Sequence, residues 1–209
     1  MKKSFFPLLL LFGALDVFGQ NNGCISAEFV TDYYYYIIGR NMTNDFNYGF
    51  SMLVSDKVRN VKVSMGVGYS TKLLQAQTNF GDLTYDLKSI HFPILATVNF
   101  ISWSSDISGG VLAGAVFNQI LDYKINHQSQ DGVPFTESGL LNNREMGISL
   151  MIGVAFSKRI GNKCVINLTP FMKYNLVDDH GSQSPDYRNI PDDKVSVGCR
   201  LAVELLLIK

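Results

Sequence analysis

The stretch from Met146 to Lys158 reads MGISLMIGVAFSK. Met146, Ile148, Leu150, Ile152, Val154 and Phe156 fall at every second position, and Glu145, Gly147, Ser149, Gly153 and Ser157 fall on the alternate positions. Successive side chains of a strand point to opposite faces, so this is a strand with one greasy face and one small or polar face. It is also long. Ordinary strands average about five or six residues, whereas a strand tilted across a bilayer needs about nine to eleven.

The pattern recurs along the chain. Val61, Val63, Met65, Val67, Tyr69 and Leu73 oppose Lys62, Ser64, Gly66, Gly68, Ser70 and Lys72. Near the end, Val195, Val197, Cys199, Leu201, Val203, Leu205 and Leu207 oppose Ser196, Gly198, Arg200, Ala202 and Glu204. Eight segments fit this reading: 25–36, 44–55, 61–73, 86–101, 106–123, 144–158, 164–177 and 194–208. Tight connections at Asp56 to Asn60, Ser102 to Ser105 and Arg159 to Lys163 alternate strictly with long ones at 37–43, 74–85, 124–143 and 178–193. Short periplasmic turns alternating with long outer loops are the signature of an outer-membrane barrel, and they put both termini on the periplasmic side. An even strand number lets an antiparallel barrel close without a free edge.

The composition of the polar face says which side is inside. It holds Gly66, Gly68, Gly110, Gly114, Gly147, Gly153, Gly198 and Ala202, where a solvated face would carry more long charged side chains. Small residues suit the crowded interior of an eight-stranded barrel. Lys62, Lys72, Lys173, Arg200 and Glu204 interrupt that face with both signs of charge. The expectation is an internal ionic plug in which Arg200 pairs with a lumen acid, and no water-filled pore. Tyr33 to Tyr36, Tyr48, Tyr69, Phe92, Phe100, Trp103, Phe117, Tyr123, Phe156 and Tyr174 lie mostly near segment ends, where rings with polar tips suit membrane interfaces. The predicted fold is therefore all-β: an eight-stranded antiparallel up-and-down transmembrane β-barrel.

Composition narrows the function classes. The 209 residues carry 18 Lys+Arg against 18 Asp+Glu, so nothing electrostatic favours a nucleic-acid partner. With 46% hydrophobic residues the chain is no disordered tail, and three cysteines cannot form a closed disulfide framework. Met1-Lys2-Lys3, the apolar run Phe5 to Leu15 interrupted by Pro7, and Val17-Phe18-Gly19 have the layout of a secretory signal peptide. Residues 1–19 are read as that signal and residues 20–209 as the barrel domain, with 16 basic and 17 acidic residues left after cleavage. Asn21-Asn22-Gly23 lacks the aliphatic residue that precedes an acylated cysteine, so lipidation of Cys24 is not expected. Cys164 and Cys199 read as small apolar residues on strand faces.

The stretch Ser89-Ile90-His91-Phe92-Pro93-Ile94-Leu95 resembles a strand motif of PorT-like outer-membrane β-barrel proteins, in which an alternating hydrophobic run contains Glu, a hydrophobic residue and Pro. Ser108-Gly109-Gly110 to Ala115 is similar to the Gly-rich strand that follows it, and Glu145-Met146-Gly147 with Gly153 to a later acidic strand. The similarity runs in order from about residue 24 to 208. It implies the barrel fold and an outer-membrane location, with some relatives linked to secretion across that membrane. His91 stands where the family has Glu, which implies different internal pairing, and the chain ends in Leu207-Ile208-Lys209 where an aromatic is usual.

Catalytic constellations are thin. Ser89 and His91 share a strand face near the outer end, with Glu145 at a similar height, so a nucleophile, base and acid are conceivable there. His127 and His180 lie in expected loops with Asp131, Asp178 and Asp179 nearby, which is weak support for a metal. No phosphate-binding Gly loop, CxxC pair or HExxH occurs. No catalytic, cofactor-binding or metal residue is assigned, and the chain is read as a non-enzymatic protein without cofactors. Its expected place is the outer membrane of a diderm bacterium, in a structural or adhesive role or as part of an envelope or secretion assembly. Expected partners are outer-membrane lipids, the barrel-insertion machinery and other envelope proteins met through the outer loops. The alternatives are a secreted lipocalin-like barrel for a small apolar ligand and an outer-leaflet lipid-modifying enzyme.

Overall fold

The computed structural model describes residues 23–35, 46–78, 81–129, 134–140, 146–177 and 195–206. Among them are nine strands: β1 Cys24–Tyr35, β2 Phe46–Val58, β3 Val61–Thr78, β4 Gly81–Ser102, β5 Ile107–Ser129, β6 Pro134–Leu140, β7 Met146–Ile160, β8 Cys164–Val177 and β9 Val195–Leu206. All pairings are antiparallel. The ring runs β1-β2-β3-β4-β5-β7-β8-β9 and returns to β1 through pairs such as Glu28 with Ala202. It is a closed eight-stranded barrel, as the alternation predicts.

The eight ring strands match the eight sequence segments, and the three tight connections are tight. At one of them Val58 pairs with Val61, and Arg59 takes the left-handed conformation (φ 57°) that a two-residue hairpin demands. The N-terminal end of β1 and the C-terminal end of β9 lie beside these turns, since Cys24 faces both Ser55 and Leu206.

Two of the four long connections are not loops. Across 74–85, β3 and β4 continue as a hairpin in which Leu74 pairs with Tyr85 and Thr78 with Gly81. Across 124–143, β5 continues to Ser129 and turns back as β6, with Asp122 opposite Leu140 and Gln128 opposite Pro134. Polarity does not mark the end of a strand here. Backbone pairing does not depend on the polarity of the side chains, and it continues through both segments. The expected loops 37–43 and 178–193 lie outside the described residues.

β5 therefore changes partner partway along its length. Its last pair with β7 is Gln119 with Met146, and its first with β6 is Asp122 with Leu140. At this exchange the β4–β5 pairing shifts register, with Lys88 opposite Asp122 and Ser89 opposite Ile120, so that Leu121 of β5 is the extra residue. A bulge adds local twist and re-aims a strand, and here it marks where β5 leaves the ring. Beyond that point β3, β4, β5 and β6 form a sheet that projects past the barrel.

The two faces of the wall are sorted by chemistry. On β7, Ser149 is 2% exposed and its neighbour Leu150 is 48% exposed. Phe29, Phe50, Tyr69, Ile94, Leu168 and Leu201 point outward, while Ser26, Glu28, Asp32, Lys173 and Arg200 are buried inside. A soluble lipocalin-like barrel requires the reverse arrangement. Of the aromatic set, Tyr48, Tyr69, Phe100, Trp103, Phe156 and Tyr174 are exposed on the wall or at its rim. Trp103 stacks on Phe156 at 6.2 Å beside the short turns.

The lumen has little width to spare. Leu53, Leu95, Leu112, Val116, Met151 and Phe171 pack across it as one cluster. Leu95 lies over Gly114 of the next strand, where an added Cβ would come within 2.8 Å of the leucine side chain and 2.3 Å of the Ile94 carbonyl. The small residues of the inner face are thus the floor on which the larger ones lie.

Candidate functional site

The chemistry of this chain is concentrated in the lumen. β1 contributes Glu28 and Asp32, four residues apart and hence on one face. Asp32 is fully buried. Its carboxylate accepts hydrogen bonds from Asn47 Nδ2 at 2.7 Å and Ser196 Oγ at 3.0 Å, and it pairs with the Lys173 ammonium. Glu28 pairs with Arg200 from β9. Lys62 of β3 reaches across two strands to Glu204 of β9. The predicted plug of mixed charge is present, and the acid opposite Arg200 is Glu28.

These pairs answer a physical demand. A charge removed from water is tolerated when it is paired and its remaining hydrogen-bond sites are filled. Two carboxylates on β1 and one on β9 meet cations from β3, β8 and β9, which ties distant strands of the ring together. Hydroxyls and amides fill the space between: Ser55 with Ser64 at 2.8 Å, Ser149 with Asn175 at 2.7 Å, and Ser157 with Asn167 at 2.5 Å.

The serine and histidine that share a face on β4 do not bond each other. Ser89 Oγ bonds Ser70 Oγ at 2.8 Å. His91 Nε2 lies 2.7 Å from Ser51 Oγ on β2, reaching over Gly68 of the strand between them. A Cβ at Gly68 would fall 2.2 Å from that nitrogen and 2.5 Å from that hydroxyl. The His–Ser contact is buried on both sides, with Ser51 at 1% and His91 at 8% exposure. Glu145, the acid of the candidate triad, lies outside the described residues, as do His180, Asp131, Asp178 and Asp179. His127 is in β5, paired with Phe135 of β6, and not in a loop.

Cys24 is an inner-face residue of β1, 4% exposed and flanked by Ser55 and Leu206. Cys24, Cys164 and Cys199 are all free thiols.

Sequence reasoning missed Glu28, Asp32, Asn47 and Ser51. The signal was present, because Cys24, Ser26, Glu28 and Asp32 alternate with Ile25, Ala27 and Phe29. It was obscured by the tyrosine run Tyr33 to Tyr36, which has no period.

Two small cavities flank the apolar cluster. One of about 40 Å³ is lined by Asn47, Ser51, Ser70, His91, Asn118 and Lys173, among others. Another of about 30 Å³ is lined by Ser26, Lys62, Ser64, Thr97, Asn167 and Glu204, among others. Neither is large enough for an organic ligand, since binding pockets run to about 300–1,000 Å³.

No family model matches the chain, and no curated protein does. Solved structures do. A major outer membrane protein from Thermus thermophilus is 10% identical, with 88% of this chain and 99% of that one aligned and a TM-score of 0.51. Neisserial surface protein A aligns over 89% and 99% of the two chains at 11% identity, with a TM-score of 0.48. Ail, the attachment invasion locus protein of Yersinia pestis, aligns over 88% and 97% at 15% identity, with a TM-score of 0.41. At such identities the likeness to the Thermus protein is one of fold. It agrees with the pairing and the inverted faces: this chain is a closed, eight-stranded, antiparallel transmembrane β-barrel.

Proposed function

We propose that the protein is a non-enzymatic barrel of the outer membrane of a diderm bacterium, with residues 1–19 removed as a signal peptide and kinship to the PorT-like family. One observation carries this reading. The wall exposes Phe29, Phe50, Tyr69, Ile94, Leu150, Ile152, Leu168 and Leu201, while Glu28, Asp32, Lys62, Lys72, Lys173, Arg200 and Glu204 turn inward. Hydrocarbon accepts the first set and rejects the second. Outer-membrane lipids are then the wall's immediate partners. A trough of about 640 Å³ over Ala113 and Ala115, between Ile94, Phe117, Leu150 and Tyr174, faces them.

With the lumen filled, the working surface is what extends beyond the ring. The sheet built from the outer parts of β3, β4, β5 and β6 carries polar groups such as Lys88 and Asp122, 3.8 Å apart and both half-buried. A structural or adhesive role, or membership of an envelope or secretion assembly, operates through that sheet and the neighbouring outer segments. Insertion depends on the barrel-insertion machinery.

Cell fractionation tests the reading, followed by electrophoresis of boiled and unboiled samples. Recovery in the outer membrane, release only by detergent and a heat-dependent mobility shift are expected. Recovery as a soluble periplasmic protein without a shift would overturn it.

A further inference from the structure

Lys158 stands on the outward face of β7 between Phe156 and Ile160, which are 42% and 49% exposed. Its cross-strand neighbours are Ile107 on β5 and Ile166 on β8, so the cation is set in an apolar part of the wall. Its ammonium makes no hydrogen bond or ion pair among the described residues. Lys57, Arg59, Arg159 and Lys163, exposed beside the short turns, likewise make no ion pair among them. Apart from the Lys62–Glu204 pair, the acids of this rim among the described residues are Asp56 and Asp106. The rim is therefore positive.

An aromatic platform fixes the depth of Lys158. Trp103 leaves the β4–β5 turn and folds back onto the outer wall, where it stacks on Phe156. It lies over Gly109, the partner of Phe156, and a Cβ there would fall 2.6 Å from the indole. A tryptophan on an apolar wall belongs at the level where acyl chains meet headgroups. Lys158 is two residues nearer the turn than Phe156, about 7 Å along the strand. A lysine so placed lays its stem on apolar neighbours and carries its charge to the headgroups. The three turns are no longer than four residues, so these cations do not stand clear of a membrane to meet a soluble partner. A zwitterionic headgroup brings its own cation, whereas an anionic one leaves its phosphate charge for the protein to neutralise.

We propose that Lys158 and the Trp103–Phe156 stack form a binding site for an anionic phospholipid in the leaflet on the short-turn side. The ammonium takes the phosphate, and the stacked rings with Ile107 take the glycerol and the first part of the acyl chains. Arg159 and Lys163 in the adjoining turn add to the local positive charge. The site deepens the proposed membrane role by naming a lipid class and a leaflet, and it rests on the chain spanning a membrane.

Trp103 is the single tryptophan, so all tryptophan emission comes from the site. For the test, the full-length barrel is refolded into phosphatidylcholine vesicles with a minor share of lipid brominated along the acyl chain. That lipid is either phosphatidylglycerol or phosphatidylcholine. Brominated phosphatidylglycerol is expected to quench as though enriched about fivefold at Trp103, the effect of one cation beside an anionic headgroup. Lys158→Gln should remove most of that enrichment, and Lys158→Glu should turn it into exclusion. Lys57→Gln, across the ring on the β2–β3 turn, should leave it unchanged. Inorganic phosphate should leave it unchanged too, relative to sodium chloride at equal ionic strength. Equal quenching by the two brominated lipids in the parent overturns the proposal. So does enrichment that survives in Lys158→Gln, that is lost in Lys57→Gln, or that free phosphate abolishes. A heat-dependent mobility shift shows that each variant is folded. A parent chain that never inserts is quenched by neither lipid, and that outcome overturns the membrane reading and the site with it.

Discussion

His91 and Ser51 are joined by a 2.7 Å hydrogen bond that crosses Gly68, the residue between them on the intervening strand. One contact links the outer two of three adjacent strands across the middle one, and it depends on the absence of a side chain at Gly68. Gly68→Ala should destabilise the barrel by about 1–3 kcal/mol, the usual cost of overpacking a tight interior. Ser51→Ala, which leaves the buried imidazole without this partner, should cost a similar amount. Urea titration of the barrel in lipid vesicles measures both. Midpoints equal to that of the parent would show that the lumen can absorb the change.

Asp32 collects two hydrogen bonds and an ammonium. Asp32→Ala removes the acceptor and leaves charge in a buried place, at a cost of about 3–5 kcal/mol. Adding Lys173→Met to that variant should recover part of the loss, because the cation goes with its counter-charge. A double variant no more stable than Asp32→Ala would mean that the pair is not coupled.

The wall predicts a contrast between two substitutions at one outward position of β7. Leu150→Arg places a charge in hydrocarbon and should cost about 2–4 kcal/mol at mid-membrane. Leu150→Val keeps the surface apolar and should cost little. Equal stabilities for the two variants in vesicles would argue against lipid contact at this position.

The projecting hairpin should be separable from the barrel. Replacing Gln75 to Thr84 by Asn-Gly closes β3 onto β4 at the pair Leu74 with Tyr85 and leaves every lumen ion pair in place. Membrane insertion and the heat-dependent shift should persist, with any function of the outer sheet lost. Failure to insert would assign the hairpin to the folding of the barrel itself.

Much of this structure could be read from the sequence because a membrane wall writes its faces with period two. Met146 to Phe156 and Val195 to Leu205 show which residues meet lipid, and the intervening Gly, Ser and Arg200 show which do not. Strand ends were less legible. Gln75, Gln77 and Thr84 look like loop residues, yet all are paired, because backbone pairing does not require apolar and polar side chains to alternate. Partners inside the lumen were least legible of all. Ser89 and His91 are two residues apart and do not meet, while His91 and Ser51 are forty apart and do. Register across three strands decides that contact, and register is a property of the closed ring.

The outward side chains of β7 should lie in the hydrocarbon of the membrane, and their depth can be measured. Trp103, the single tryptophan, is replaced by phenylalanine, and tryptophan is placed in turn at Leu150, Ile152 and Val154. Each variant is refolded into vesicles of lipids brominated along the acyl chain. Strong quenching of emission is expected at all three positions, since all three side chains point outward from the wall. Emission unaffected by the brominated chains would contradict that placement, because those side chains would then face something other than the membrane.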